Sequence, residues 1–209
     1  KKDYIKAEPL FFQVFETWKD QLGERHQKTL KAMNNLARVY HWQGKTDKAE
    51  AMFITALDLR KEVLGEKHPD VVRSQIDFAA LLTTQEKFKA AEDLLLETVP
   101  LAEEVLGEKH QYTFEAINNL ATLYELWGRT DEALKVMQTG FDRRTEFFDR
   151  VLWAAGENTR QSYIELHKHE QNRFLNLLLK KNDPSAARKA LHASLHRKGL
   201  LLKITSEIH

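Results

Sequence analysis

The strongest constraint on this chain is an internal repeat with a period of 42 residues. The segment Leu-Gly-Glu-Arg/Lys-His occurs three times, at residues 22–26, 64–68 and 106–110. Residues 22–63 and 106–147 are identical at 20 of 42 positions without a gap. A single short unit cannot bury its apolar side alone, so units that repeat this evenly are expected to stack on one another.

Each repeat carries the pattern of two amphipathic helices. In the first repeat, an apolar face with i, i+3, i+4, i+7 spacing consists of Met33, Leu36, Ala37 and Tyr40. A second apolar face consists of Ala49, Phe53, Ala56 and Leu57. We expect Gly44 and Gly65 to end these two helices, and Pro69 to lie in the first turn of the next one. The residues therefore predict an all-α fold built from helix hairpins.

The repeated residues resemble the tetratricopeptide repeat, in the 42-residue form of kinesin light chains and many bacterial proteins. The resemblance rests on Leu-Gly-Glu-Lys-His, on Asn-Asn-Leu-Ala at 34–37 and 118–121, and on the tyrosine that follows. It implies a right-handed α-solenoid with repeats that start near residues 22, 64 and 106, preceded by a half-repeat at 8–21. We predict a repeat array over residues 1–148, followed by a longer C-terminal helical hairpin or linker at 149–209.

The middle repeat departs from this pattern in three places. Ile76-Asp77-Phe78-Ala79 replaces Asn-Asn-Leu-Ala, Glu86 replaces a glycine, and Pro100 lies inside the second helix. Proline removes a backbone donor, so we expect a kink at Pro100.

In the tetratricopeptide family, peptides bind on the concave side, which the first helices line. Counting along the helices from Leu36 gives the groove positions, which are Asn34, Asn35, Arg38, His41, Trp42, Arg73, Asp77, Glu115, Asn118, Asn119 and Thr122. A primary amide both donates and accepts, so Asn35 and Asn119 could bind a peptide backbone, and Arg38 could pair with a partner carboxylate. The alternative is that the asparagines hydrogen-bond within the repeat stack.

The last quarter of the sequence lacks the repeat and is basic. Residues 1–150 hold 22 basic and 26 acidic side chains, whereas residues 151–209 hold 10 and 5. The predicted basic patch is Lys180, Lys181, Arg188, Lys189, Arg197 and Lys198. We expect this patch to dock on an acidic protein surface or to aid solubility. Nucleic-acid binding is the weaker alternative, because no aromatic residues are interleaved at a stacking spacing.

Residues 157–161 and 197–202 resemble the helical segment that precedes the caspase-like peptidase in bacterial tetratricopeptide–CHAT proteins. The resemblance implies a linked peptidase domain outside this chain, because the chain has no cysteine for a His–Cys pair. The first residue is not methionine, and we expect a piece of a longer protein.

Composition excludes several classes of function. The absence of cysteine excludes a disulfide scaffold and a thiolate zinc site, and a net charge of +1 argues against a nucleic-acid coat. The sequence contains no run of 18 apolar residues, which is the length needed to span a membrane.

His26, His68 and His110 recur one repeat apart, about 20 Å, which is too far to share a metal. His192 and His196 share a helix face without a third ligand, so we expect no metal and no cofactor.

These observations favour a cytoplasmic, non-enzymatic module that binds a protein or peptide in its groove. On this hypothesis it controls a linked effector, a caspase-like CHAT peptidase of a bacterial antiphage or CRISPR-linked system. The alternative is a structural scaffold of a ribonucleoprotein that contacts RNA through the basic C-terminal helices.

Overall fold

The computed structural model describes residues 2–151 and 157–180, and all secondary structure in these residues is helical. The helices in this part of the chain are α1 (Lys2–Leu22), α2 (Gln27–Gln43), α3 (Thr46–Leu64), α4 (Pro69–Thr84), α5 (Phe88–Leu106), α6 (Gln111–Leu126), α7 (Thr130–Val151) and α8 (Glu157–Lys180). The predicted all-α fold class is confirmed.

The chain divides into two compact units, Lys1–Gly128 and Arg129–His209. In the first unit, each helix from α1 to α6 packs on the next, and the first helices of the repeats, α2, α4 and α6, also pack side by side. We call α1, α3 and α5 the second helices. In the second unit, α7 packs on α8, and the rings of Phe141 and Phe174 lie 5.7 Å apart. The domain boundary at residue 148 stays a prediction.

A histidine caps the start of each first helix. The Nδ1 atoms of His26, His68 and His110 accept hydrogen bonds from backbone N–H groups two residues later, at 3.2, 3.1 and 3.1 Å. The first N–H groups of a helix have no partner within the helix, so a side-chain acceptor at this position stabilises the helix start. Helix capping thus gives the recurring histidine a structural role.

The helix ends follow the repeat as well. Gly44 has φ +80° and ψ +15°, and the next N–H, of Lys45, bonds to the carbonyl of Tyr40 at 2.9 Å, which closes α2 as predicted. Gly65 follows the last residue of α3, and Pro69 opens α4. Helix α5 continues through Pro100 to Leu106.

Small residues let the helices of one hairpin approach closely. Ala37 of α2 and Ala49 and Ala56 of α3 are fully buried in one cluster with Phe53 and Tyr40. A larger side chain at any of these alanines would force neighbouring helices apart.

Ion pairs repeat along the second helices with a separation of 37 residues. Lys45 pairs with Glu8 and Lys87 pairs with Glu50, and both Nζ–Oε distances are 2.6 Å. Arg25–Glu62 and Lys67–Glu104 form a second series. Exposed pairs contribute little free energy individually, but their recurrence shows that successive hairpins stack in the same way.

Candidate functional site

The first helices of the repeats present a stripe of solvent-accessible, mostly polar side chains, which we call the polar face. Its residues share an i, i+4, i+7, i+11 spacing, which places them on one side of each helix. They are Lys31, Asn35, Arg38 and Trp42 in α2, Arg73, Asp77, Ala80 and Thr84 in α4, and Glu115, Asn119, Thr122 and Leu126 in α6.

Asp77 of α4 is the electrostatic centre of the polar face. Its carboxylate accepts a hydrogen bond from Asn34 Nδ2 at 2.7 Å and pairs with Arg38 Nε at 3.3 Å. Burial raises the pKa of Asp77, while the Arg38 charge and the Asn34 hydrogen bond oppose that rise. The ionised form of this carboxylate is therefore stabilised by its two partners from α2, Arg38 and Asn34.

A buried polar chain continues behind Asp77. Asn34 Oδ1 accepts from Ser74 Oγ at 3.1 Å, and Ser74 Oγ accepts from the guanidinium of Arg60 at 2.6 Å. Arg60 is almost fully buried and also donates to the carbonyls of Asp70 and Leu30, at 2.8 and 3.4 Å. These bonds connect α2, α3 and α4, and they anchor the position of Asp77.

Sequence reasoning missed Arg60 and Ser74, although the repeat contains a signal for them. The equivalent pairs are Trp18 with Ala32, and Ala102 with Ala116. Of these three pairs, only Arg60 with Ser74 consists of two polar residues, as is required when a buried guanidinium needs an oxygen acceptor.

An aromatic cluster lies next to Arg38. The Arg38 guanidinium lies 4.9 Å from the ring centroid of Trp42, and that ring lies 4.7 Å from the ring of Tyr4. Trp42 is exposed and Tyr4 is half-buried. A cation over an aromatic face is attracted by the ring quadrupole, so the arginine is held between Asp77 and Trp42.

The third repeat is linked to Asp77 through α6. Asn119 Nδ2 donates to the carbonyl of Ile76 at 3.3 Å. Desolvation and the Asp77 charge raise the pKa of Glu115, and the Arg38 and Arg73 charges oppose that rise. Arg73 lies 5.6 Å from the ring of Tyr112. Two carboxylates and two guanidinium groups thus share the middle of the polar face.

His41 completes the contacts between α2 and α4. The Thr84 hydroxyl donates to the carbonyl of Leu81 at 2.8 Å, so at 3.1 Å it accepts from His41 Nε2. Burial lowers the pKa of His41. The ring is therefore neutral at neutral pH, with its proton on Nε2.

The structure separates the predicted groove residues into two groups. Asn34 differs most from the prediction, because it is buried and both ends of its amide are bonded within the chain. Asp77, Arg38, His41, Asn119 and Asn118 also have internal partners, and the hydroxyl of Thr122 donates to the carbonyl of Asn118 at 2.8 Å. In contrast, no hydrogen bond or ion pair engages the predicted residue Asn35, or Lys31 beside it on the polar face, within the described residues.

Of the predicted basic patch, only Lys180 falls within the described residues, where it is exposed at the end of α8. Lys181, Arg188, Lys189, Arg197 and Lys198 lie outside them, as do His192 and His196. The RNA-contact alternative stays a prediction.

Residues 2–151 and 157–180 contain neither a cluster of metal ligands nor a membrane-spanning helix. No three His, Cys, Asp or Glu side chains there are grouped so that they could hold a metal ion. None of the helices in the same residues has the length and apolar character needed to cross a membrane.

Comparison with known proteins identifies the repeat type. The family model described as Tetratricopeptide repeat matches residues 29–104 and 91–146. No curated protein sequence matches this chain.

Solved structures match over most of the chain. One is from a Podosopora anserina protein described as a kinesin light chain with nearly identical TPR-like repeats; it has a TM-score of 0.69 at 18% identity and covers 96% of this chain and 88% of its own. BtubC (BKLC) from P. vanneervenii has a TM-score of 0.72 at 18% identity, over 95% and 74% of the two chains. These likenesses confirm the predicted α-solenoid fold.

Proposed function

The chain belongs to the tetratricopeptide repeat family, and we propose that its polar face binds an extended segment of a partner protein. The tetratricopeptide fold is an interaction scaffold whose stacked hairpins present an extended surface. The observation that carries the proposal is the contrast within the polar face. Asp77, Arg38 and Asn34 are held in a fixed network, whereas Lys31 and Asn35 have no partner among the described residues.

The solvent-accessible side chains of the polar face indicate what the partner segment presents. Asn35 can donate to and accept from one peptide group of an extended backbone. Lys31, Arg73 and Glu115 occupy equivalent positions of three neighbouring helices, whose axes are about 8–10 Å apart. A segment that crosses from α2 to α6 therefore meets two positive charges and then a negative one. We expect acidic side chains opposite Lys31 and Arg73, and a basic one opposite Glu115.

Binding of selected peptides tests the proposal. Random 12-residue peptides displayed on phage are selected on the whole chain, and the affinity of the selected peptides is then measured by calorimetry. We expect Asn35→Ala combined with Asn119→Ala, and separately Arg73→Glu, to weaken binding about tenfold or more, because each removes a donor or reverses a charge at the interface.

The matched controls lie on second helices. Thr55→Ala and Lys48→Glu, both in α3, change an exposed polar and an exposed basic side chain outside the polar face. Unchanged affinity in the polar-face variants, or an equal loss in the controls, would contradict binding at the polar face.

We further propose that this binding is regulatory, in a cytoplasmic protein whose chemistry lies in a linked caspase-like CHAT peptidase. The support is the resemblance of residues 157–161 and 197–202 to the segment that precedes such peptidases, together with the absence of cysteine in this chain. Reading the gene beyond residue 209 tests this. A downstream His and Cys in caspase-like order is the expected result, and a reading frame that ends without them would exclude a peptidase linked in this order.

A further inference from the structure

A buried polar chain runs from α3 to the polar face, and its hydrogen bonds all point in one direction. Its members, in order, are Arg60, Ser74, Asn34 and Asp77. Arg60 has only donors, so Ser74 accepts from it and donates to Oδ1 of Asn34. The amide nitrogen of Asn34 is then the donor to Oδ2 of Asp77, at 2.7 Å. The buried polar chain therefore directs an N–H donor at Asp77.

A carboxylate suits position 77 because donors reach it from two sides. Oδ2 of Asp77 accepts from Asn34, and Oδ1 lies 3.3 Å from Nε of Arg38. An asparagine has one acceptor oxygen, and its NH2 group would face one of these two donors. The equivalent residues of the other repeats are asparagines, Asn35 and Asn119. The need for two acceptor oxygens explains why the middle repeat has aspartate instead.

The packing of neighbouring first helices does not require the buried polar chain. One repeat later, the equivalents of Arg60, Ser74 and Asn34 are buried members of one apolar cluster, namely Ala102, Ala116 and Ile76. Helices α4 and α6 still pack side by side there. Removing a guanidinium from water costs free energy that an apolar contact does not. The polar residues between α2 and α4 therefore point to a role other than packing.

The buried polar chain ends at Arg38, which is held on two sides and keeps its outer donors open. Asp77 pairs with its Nε, and the guanidinium lies 4.9 Å from the ring centroid of Trp42. Neither Nη atom of Arg38 makes a hydrogen bond within residues 2–151 and 157–180, and 29% of the side chain is exposed. The two Nη atoms carry four of the five N–H donors, in a planar fork that matches a carboxylate.

We propose that Asp77, anchored by the buried polar chain, is a positioning residue that fixes Arg38 to bind an acidic side chain of the partner segment. The inference rests on the proposed binding at the polar face, and it places one carboxylate of the segment opposite Arg38. A guanidinium that is already held between Asp77 and Trp42 loses little conformational entropy when the segment binds. Prior orientation of Arg38 therefore increases the affinity for the acidic segment.

A double-mutant cycle tests the contact with Arg38. The probe is the tightest peptide from the phage selection, amidated at its C-terminus so that only side chains carry carboxylates. Each Asp or Glu of the peptide is changed in turn to Asn or Gln. Arg38→Lys is expected to weaken binding about fivefold or more, because an ammonium lacks the planar fork. At one acidic position of the peptide, the amide should weaken binding to the wild-type chain but not to Arg38→Lys.

Arg25→Lys is the matched control, because Arg25 is exposed and pairs with Glu62 away from the polar face. We expect it to leave the affinity unchanged. Additive losses at every acidic position of the peptide would overturn the contact with Arg38. In that case a loss of binding in Arg73→Glu would still support the proposed function, whereas failure to select any peptide would contradict both proposals.

Asp77→Asn tests positioning through the sign of its effect. Removing a negative charge beside Arg38 would by itself strengthen binding of an acidic peptide. Loss of positioning has the opposite effect, and we expect binding about threefold or more weaker, with circular dichroism showing a folded chain. Unchanged or tighter binding would overturn the positioning role of Asp77.

A second variant separates positioning from stability. It replaces the buried polar chain with the residues found one repeat later, as Asn34→Ile, Arg60→Ala, Ser74→Ala and Asp77→Asn. Arg38 and Trp42 are unchanged. We expect a folded chain by thermal unfolding, because the same residues pack α4 on α6, and an affinity reduced at least as much as in Asp77→Asn. A folded variant with full affinity would overturn the proposal, and Asp77→Asn alone decides if this variant does not fold.

Discussion

At the scale of single residues, the middle repeat contains a local strain that the other repeats avoid. Glu86 has φ +58°, whereas Gly44 and Gly128 at the equivalent positions have φ +80° and +79°. The N–H groups of Glu86 and Lys87 bond to the carbonyls of Thr83 and Leu82 at 3.1 and 3.0 Å, so the turn is formed as in α2 despite the side chain. In this conformation a residue with a Cβ is destabilised, because its Cβ lies too close to the following carbonyl oxygen.

Glu86→Gly is therefore expected to stabilise the chain by about 0.5–1 kcal/mol, as the relief of strain exceeds the extra entropy of glycine in the unfolded state. Urea unfolding followed by circular dichroism measures the change. The matched variant is Gly44→Ala, which introduces the same strain in the first repeat and should destabilise by a similar amount. A lower unfolding free energy for Glu86→Gly would show that the glutamate makes a compensating contact.

At the scale of helices, each hairpin depends on how its first helix begins. The histidine cap recurs before α2, α4 and α6, and it replaces the more usual Ser, Thr, Asp or Asn. At α4 the cap lies beside the buried network, because Arg60 donates to the carbonyl of Asp70 in the first turn. The first turn of α4 is thus held through both the N–H and the carbonyl of Asp70.

His68→Ala is expected to destabilise the chain by about 1 kcal/mol, because the N–H of Asp70 loses its acceptor. Thermal unfolding measures the global effect, and hydrogen exchange at the Asp70 amide locates it. His68→Asn provides the control, since an asparagine oxygen can accept the same bond and should retain most of the stability. Equal losses in both variants would indicate that the imidazole contributes through packing and not through capping.

At the scale of the whole molecule, stability should depend on pH through titratable groups of the neighbouring first helices. The pKa of His41 is lowered by burial, so the folded state binds fewer protons at this site than the unfolded state. Asp77 and Glu115 change the stability in the opposite direction with pH. Their pKa values are raised in the folded state, so protonation of these carboxyls at acidic pH favours the folded state. The histidine contribution is full above pH about 6.5 and is lost as pH falls below it.

His41→Gln is expected to reduce the loss of unfolding free energy between about pH 7.5 and 5.5, since glutamine keeps a donor for Thr84 but does not titrate. Urea unfolding at both pH values measures the difference between the variant and the wild-type chain. An unchanged pH dependence would mean that His41 is protonated in the folded chain as readily as in the unfolded one.

The repeat period and the apolar spacing were sufficient to predict the hairpins, because residues 42 apart occupy the same environment in successive units. Gly44 as a helix end and Pro69 as a first-turn residue follow from local backbone chemistry, which depends on few neighbours. Asn34 was harder to place, because its burial depends on Asp77 and Ser74, which are 43 and 40 residues away in the sequence.

The helical periodicity, the repeat and the positions of the helix ends could be predicted from the sequence, since they depend on spacing and on local conformational preference. Which polar side chains of the first helices are engaged, and which remain free, depends on the packing of the folded chain. The same holds for the buried position of Arg60. The physical reason is that hydrogen-bond pairing and burial are properties of neighbouring helices, and those neighbours are set by how the hairpins stack.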